Sequence, residues 1–168
     1  GGVTHEVVVV DDGSRDRTRE VTRDLAARWG GIRLVEHGVN RGPGSGIPTG
    51  LAHARGEFLM FVPADLAIEP ADLVKFVAAG RAGADVVVGL RSDRRDYSVA
   101  RKLVSHVNIF LIQVLFNLRI RQFNYIHLYR RSIFERITIE SRGVFLTAEV
   151  VIKARDLVCD NEEVCRGF

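Results

Sequence analysis

The chain predicts an α/β fold, a mainly parallel sheet flanked by helices, and three observations carry that expectation. Short apolar runs alternate with amphipathic segments at a pitch that suits βαβ units. The runs Val7-Val8-Val9-Val10 and Val86-Val87-Val88 are β-branched without polar interruption, as strands covered on both faces require. Strand ends coincide with charged groups: Asp11-Asp12 after the first run, Asp65 after the run Phe58 to Val62, and Arg91 after Val88-Gly89-Leu90. Ligands of open α/β sheets bind beyond the carboxyl ends of the strands. Asp12, Asp65 and Arg91 are therefore expected to converge on one pocket rim.

In chain order, the strand at Val7 to Val10 runs into Asp11-Asp12-Gly13-Ser14, where Gly13 permits a turn and Ser14 is placed to cap a helix. Val21, Leu25 and Trp29 recur every four residues, so residues 16 to 29 read as a helix with that stripe buried. Gly30-Gly31 ends it, and Ile32 to Glu36 reads as a second strand. Asn40 to Gly50 reads as a glycine-rich loop leading into a helix through Leu51, Ala52 and Ala54, with Pro48 tolerable only in the first helical turn. Phe58 to Val62 is the third strand. A helix opened by Glu69, Pro70 and Asp72 turns Leu73, Phe76 and Val77 inward, and Asp85 to Leu90 is the fourth strand. Ser92 to Lys102 is polar and basic. An apolar helix from about Leu103 to Leu118, a strand at Tyr125 to Tyr129 and helices at Ser132 to Ile137 and Ala148 to Asp156 complete the reading.

Composition excludes several function classes. At 168 residues, 46% hydrophobic and 27% charged, the chain has the makings of a single globular domain with a real core. A net charge of +3 without any long basic run argues against nucleic acid as a partner. Cys159 and Cys165 match no zinc spacing and read as reduced thiols of a reducing, cytoplasmic compartment. No basic segment followed by an apolar stretch opens the chain, so no secretory signal is expected. Val107 to Leu118, interrupted by Asn108, Gln113 and Asn117, is far short of the ~20 apolar residues that span a bilayer. Core and a peripheral place on a membrane surface both stay open for it.

The segment Gly42-Pro43-Gly44-Ser45-Gly46-Ile47-Pro48-Thr49-Gly50 invites a phosphate-cradle reading, because glycines let backbone N–H groups approach an anion at a helix N-terminus. The dinucleotide fingerprint fails at Thr49, where the third glycine counted from Gly44 should stand, and no Lys-Ser or Lys-Thr pair makes a P-loop. A flexible connector is the plain alternative.

As an ordered set these pieces resemble the family 2 glycosyltransferases. The carriers are Val-Asp-Asp-Gly-Ser at 10 to 14, Asn40-Arg41-Gly42 with Gly44 and Gly50, Asp65, Gly89-Leu90-Arg91, and Leu128-Tyr129-Arg130-Arg131. The likeness runs from Glu6 to about Val164 and is strongest to the branch of dolichyl- and polyprenyl-phosphate mannosyl- and glucosyltransferases. It implies the GT-A fold and inverting transfer of a sugar from a nucleoside-diphosphate sugar, with a polyprenyl phosphate at a membrane surface as acceptor. It implies that Asp11, Asp12, Asn40, Gly42, Gly44 and Arg91 face the donor, Asp12 touching base or ribose and Arg91 a phosphate. Asp65 falls on the second acidic position of the family's Asp-x-Asp motif, where Mg²⁺ or Mn²⁺ would bridge to the diphosphate. Glu149 falls near an acidic position used as base or acceptor contact, and Arg94, Arg95, Arg130 and Arg131, with Arg101 and Lys102, are placed to hold an acceptor phosphate.

The chain also departs from that pattern. Pro63 stands at the first acidic position of the metal motif and Ala67 where a Gln is common, so a weakened metal site is expected. Pro48 replaces a basic residue, and Arg121 stands at a usual acidic position. Family members place a strand, a Pro-x-Tyr-Asn-Glu-like turn and a helix ahead of Val-Asp-Asp-Gly-Ser. Without that strand, the strand at Val7 either keeps an open edge or pairs directly with the one at Phe58. A partial domain of a longer protein, or a variant completed by homo-oligomerisation, follows. The rival to an enzyme is a scaffold domain that binds the nucleotide sugar and has lost turnover.

Overall fold

The computed structural model describes residues 4–64, 69–89, 107, 109–112, 114–116, 126–143 and 145–159. They form two compact units, one of Gly1–Leu59 with Ile139–Leu146 and one of Met60–Thr138 with Thr147–Phe168.

In the first unit β1 (Val7–Asp11) pairs in parallel with β2 (Ile32–Glu36), in register from Val7 opposite Ile32 to Asp11 opposite Glu36. The helix between them, α1 (Thr18–Arg28), makes the unit a βαβ crossover, and α2 (Pro43–His53) packs on β1. A Cβ on Gly50 would lie 3.6 Å from Cγ2 of Val10, an ordinary contact that shows how closely α2 rests on the strand. β1 pairs with β2 alone among the described residues, and β3 (Phe58–Met60) belongs to the other sheet. Of the two arrangements open to the strand at Val7, direct pairing with the strand at Phe58 is not the one adopted. The β-branched run is accordingly not buried on both faces: Val7 is 47% exposed and Val8 to Val10 are only half-buried.

Two further expectations for this unit are corrected. α1 does not bury Val21 and Trp29, which are 47% and 63% exposed; it buries Thr22. The rotation follows from charge. Asp11 and Glu36 sit side by side in the parallel register, two carboxylates that repel unless bridged. Arg19 spans both, at 3.0 Å from each, and Arg23 adds a 2.6 Å bond to Glu36, so the arginine face of α1 is the one drawn to the strands. Nor does Ser14 cap the helix: its N–H donates to Asp11, while Asp16 accepts the N–H of Thr18 at 3.0 Å.

A three-stranded sheet has the order β3-β5-β4, in which β4 (Val86–Val88) and β5 (His127–Arg130) are antiparallel and belong to the second unit. The whole is thus a mixed α/β arrangement, one parallel and one antiparallel pair among the registers described. Helices α3 (Pro70–Arg81), α4 (Arg131–Arg136) and α5 (Leu146–Cys159) complete the elements, and residues 107, 109–112 and 114–116 are helical. Its core is apolar and well filled: Phe76, Ile126, Leu128, Tyr129, Ile133, Val150, Val151 and Ala154 are buried. Tyr129 meets Phe134 edge-on at 5.5 Å and Phe61 at 6.1 Å, favourable ring geometry, and burial pushes the Tyr129 hydroxyl up from its ordinary pKa. No helix among the described residues is long and apolar enough to cross a membrane.

Candidate functional site

Both units bury polar side chains, His127 and Glu149 in the second and three in the first. Asp11, Thr22 and His37 are buried there, and buried polar groups persist only where every partner is supplied. The parallel register explains how they meet. Asp11 lies opposite Glu36, so the residues that follow the two strands, Asp12 and His37, emerge side by side at the carboxyl end of the pair. The N–H of His37 extends the ladder by donating to the Asp11 carbonyl at 2.8 Å.

The two aspartates divide the work. The Asp11 side chain is fully buried, with Oδ1 accepting the Ser14 N–H at 3.2 Å and Oδ2 accepting from Nε and Nη2 of Arg19 at 3.1 and 3.0 Å. The Ser14 side chain first, then the Arg19 guanidinium and the Ser14 N–H, hold its carboxyl below the usual carboxylate range against the opposing effect of burial. It ties turn to helix.

Asp12 is a quarter exposed. Its Oδ1 accepts the Arg41 N–H at 2.9 Å and lies 2.7 Å from Nδ1 of His37, and its Oδ2 accepts the Gly42 N–H at 2.8 Å. The Arg41 N–H first, then His37, lower its pKa.

This changes the meaning of the glycine-rich segment. It is no flexible connector: α2 begins at Pro43, after Gly42 with φ 84°, and runs through all the later glycines. Pro48 lies inside the helix on its exposed side rather than in the first turn. The Arg41 and Gly42 N–H groups just ahead of the helix are taken up by Asp12, which acts as the anion at the head of α2. Asn40 shares in this, its Oδ1 also accepting the Gly42 N–H at 3.0 Å. The turn is tight on both sides. Gly13 has φ 77° and a Cβ there would lie 2.7 Å from the Asn40 nitrogen; one on Gly44 would lie 1.7 Å from the Arg142 carbonyl oxygen. Gly44 is buried against that backbone.

His37 is the functional candidate that sequence reading missed. It is 4% exposed, and its Nε2 lies 2.9 Å from Oγ1 of Thr49 in α2 while its Nδ1 engages Asp12. The signal for it was present: once β1 and β2 are taken as parallel neighbours, the residue after β2 falls beside the one after β1.

In the second unit Glu149 is 6% exposed in the first turn of α5, its Oε1 accepting from Lys153 Nζ at 2.7 Å, an i,i+4 pair. Lys153 also donates to the Thr138 carbonyl. Arg130 forms an ion pair with Asp85 and donates its N–H to the Asp85 carbonyl, and Arg131 opens α4, half-buried. Asp65, Arg91, Arg94, Arg95, Arg101, Lys102 and Arg121 lie outside the described residues, and so does the expected convergence of Asp12, Asp65 and Arg91. Pro63 is described and offers no side-chain oxygen ligand, and no three His, Cys, Asp or Glu side chains among the described residues come together as a metal set. The described residues do not by themselves fit a divalent cation.

The chain, with its parallel βαβ unit ending in an acidic turn, is an α/β protein of the GT-A fold. The chain belongs to the family described as glycosyl transferase family 2, whose model matches residues 3–144. It is 38% identical over 109 residues to the undecaprenyl-phosphate 4-deoxy-4-formamido-L-arabinose transferase of Edwardsiella ictaluri (strain 93-146), covering 64% of this chain and 33% of that protein. The Pseudomonas paraeruginosa (strain DSM 24068 / PA7) protein of the same name is 32% identical over 86% of this chain and 43% of its own length. A dolichyl-phosphate beta-glucosyltransferase of Trichomonas vaginalis (strain ATCC PRA-98 / G3) is 44% identical over 69 residues, 41% of this chain and 21% of that one. The chain therefore spans less than half the length of these curated relatives. Among solved structures, S. aureus TarS 1-349 matches with a TM-score of 0.60 at 19% identity, over 89% of this chain and 45% of that one, a likeness of fold.

Proposed function

We propose that the chain is part of an inverting glycosyltransferase that moves a sugar from a nucleoside-diphosphate sugar to a polyprenyl phosphate. The observation that carries the donor half is the state of Asp12. Among the described residues three donors occupy Oδ1 and one side of Oδ2, leaving an acceptor position on a partly exposed carboxylate at the ligand end of parallel strands. A carboxylate repels phosphate, so the group it suits is a hydrogen-bond donor: a ribose hydroxyl or a base N–H. Asn40, exposed beside it, and Arg91, toward the diphosphate, belong to the same reading. Asp11 and Gly44 support it from behind.

The acceptor half rests on the names of the relatives, which are polyprenyl- and dolichyl-phosphate sugar transferases. A phosphate oxygen is already anionic at neutral pH, so attack on the anomeric carbon needs no strong base. That suits Glu149, which is paired with Lys153 and in this reading orients rather than deprotonates. Arg94, Arg95 and Arg131 are the cations proposed to meet the acceptor phosphate, with Arg130 shared with Asp85. Mg²⁺ or Mn²⁺ belongs to the reading only through Asp65 and the diphosphate, and no step here is routed through it. Such an acceptor also implies a peripheral place at a membrane surface.

The test is donor binding followed by transfer. Nucleotide at a hundred times its Kd should stabilise the fold by ~2.7 kcal/mol, and the preferred nucleotide sugar should label polyprenyl phosphate. A melting temperature unmoved by UDP-, GDP- and CDP-sugars ends the donor reading. Pro63 favours a second reading, a domain that binds the nucleotide sugar without turnover. Binding without transfer or donor hydrolysis, indifferent to Asp65→Ala, would establish it.

A further inference from the structure

We propose that His37 and Thr49 are positioning residues for nucleoside recognition, forming a buried Thr49–His37–Asp12 relay that fixes the direction of the open acceptor position on Asp12. The inference rests on the donor-site reading above and adds to it the two side chains that carry α2's position to the ligand.

The geometry leaves His37 little else to do. Its ring is almost wholly buried, and both nitrogens are engaged, Nδ1 at 2.7 Å from Asp12 Oδ1 and Nε2 at 2.9 Å from Thr49 Oγ1. A carboxylate at Nδ1 requires the proton there. A threonine hydroxyl accepts or donates, so it satisfies Nε2 in the neutral ring and in the cation alike. The imidazole is a rigid plane, and it adds a side-chain contact to Oδ1 beside the Arg41 N–H, while the Gly42 N–H holds Oδ2. Three converging donors allow the carboxylate one rotamer. Without His37, the two backbone donors of a turn at the surface would remain, and the acceptor lobe of Oδ2 would lose its fixed aim. A purely structural polar pair would as readily have been apolar at this depth, since burying it yields little net stability.

Calorimetric titration with UDP, GDP and CDP tests the relay. The variants are Thr49→Ser, Thr49→Val, His37→Asn, His37→Phe and Asp12→Ala, together with the His37→Phe/Asp12→Ala double, each shown folded by circular dichroism at the titration temperature. Thr49→Ser keeps the hydroxyl and should bind within about twofold of the parent, and His37→Asn, whose amide nitrogen replaces Nδ1, should lose only about threefold. Thr49→Val and His37→Phe should weaken the nucleotide by about tenfold, equivalent to ~1.4 kcal/mol. In the Asp12→Ala background His37→Phe should cost nothing further, because its effect passes through that carboxylate. Parent-like affinity in both Thr49→Val and His37→Phe overturns the relay while leaving the donor site intact. So does an undiminished penalty for His37→Phe in the Asp12→Ala background, which would mark packing alone. If the parent protein binds none of the three nucleotides, the donor-site reading falls and takes the relay with it.

Discussion

Asp12 is an anion that the chain supplies to its own helix, and Asp11 is one that it supplies to its own arginine. Both carboxyls are held below the usual range in the folded state. A lowered folded-state pKa contributes stability that is present above the unfolded value near 3.8 and is lost as the pH falls below it. Urea midpoints should therefore drop as the pH falls below about 4, and Asp11→Asn should flatten that drop. At neutral pH Asp11→Asn should cost on the order of 1–3 kcal/mol, since Arg19 keeps Glu36 but loses its buried partner. Gly44→Ala is the sharper case. A Cβ placed 1.7 Å from a backbone oxygen cannot be relieved by a rotamer change, so the backbone must move, at about 2 kcal/mol or more by chemical denaturation. The residue-scale signals for Asp11, Asp12 and Gly13 were local and legible. His37 was not, because its importance depends on which strand lies next to which.

Among the elements, α1 shows why a period is not a face. Spacing predicts a helix in the right place, Thr18–Arg28 within the expected 16 to 29, but the buried stripe is set by Arg19 and Arg23 reaching for Asp11 and Glu36. Trp29→Lys and Val21→Lys should accordingly change stability by no more than about 0.5 kcal/mol, whereas Thr22→Lys, at 7% exposure, should cost about 2 kcal/mol. α2 shows the opposite error, glycines and a proline mistaken for a loop. Pro43 at its start suits a first turn, and Pro48 is endured because it faces solvent. An interior proline costs a helix ~3 kcal/mol, of which its stiffening of the unfolded chain returns up to ~1 kcal/mol. Pro48→Ala should then stabilise the protein by about 2 kcal/mol in a denaturant titration.

At the scale of the whole molecule, the described part of the candidate donor site belongs to one compact unit: Asp11, Asp12, His37, Asn40, Gly42, Gly44 and Thr49 all fall in Gly1–Leu59. Nucleotide should therefore slow amide exchange at residues 11–14 and 37–50 and leave the buried amides of α5, such as Val151 and Ala154, unchanged. Mass spectrometry of the exchanging protein with and without UDP or GDP reads this directly. By itself the sequence determined the alternation of strands and helices, the acidic turn and the family likeness, because β-branched runs, turn residues and ordered motifs are local properties. Only the tertiary structure decided that β1 pairs with β2 and not with β3, which face α1 buries, that Asp12 occupies the head of α2, and that His37 stands behind it. These are contacts between residues distant along the chain, and charge neutralisation and buried hydrogen bonding select among the arrangements that local pattern leaves equal.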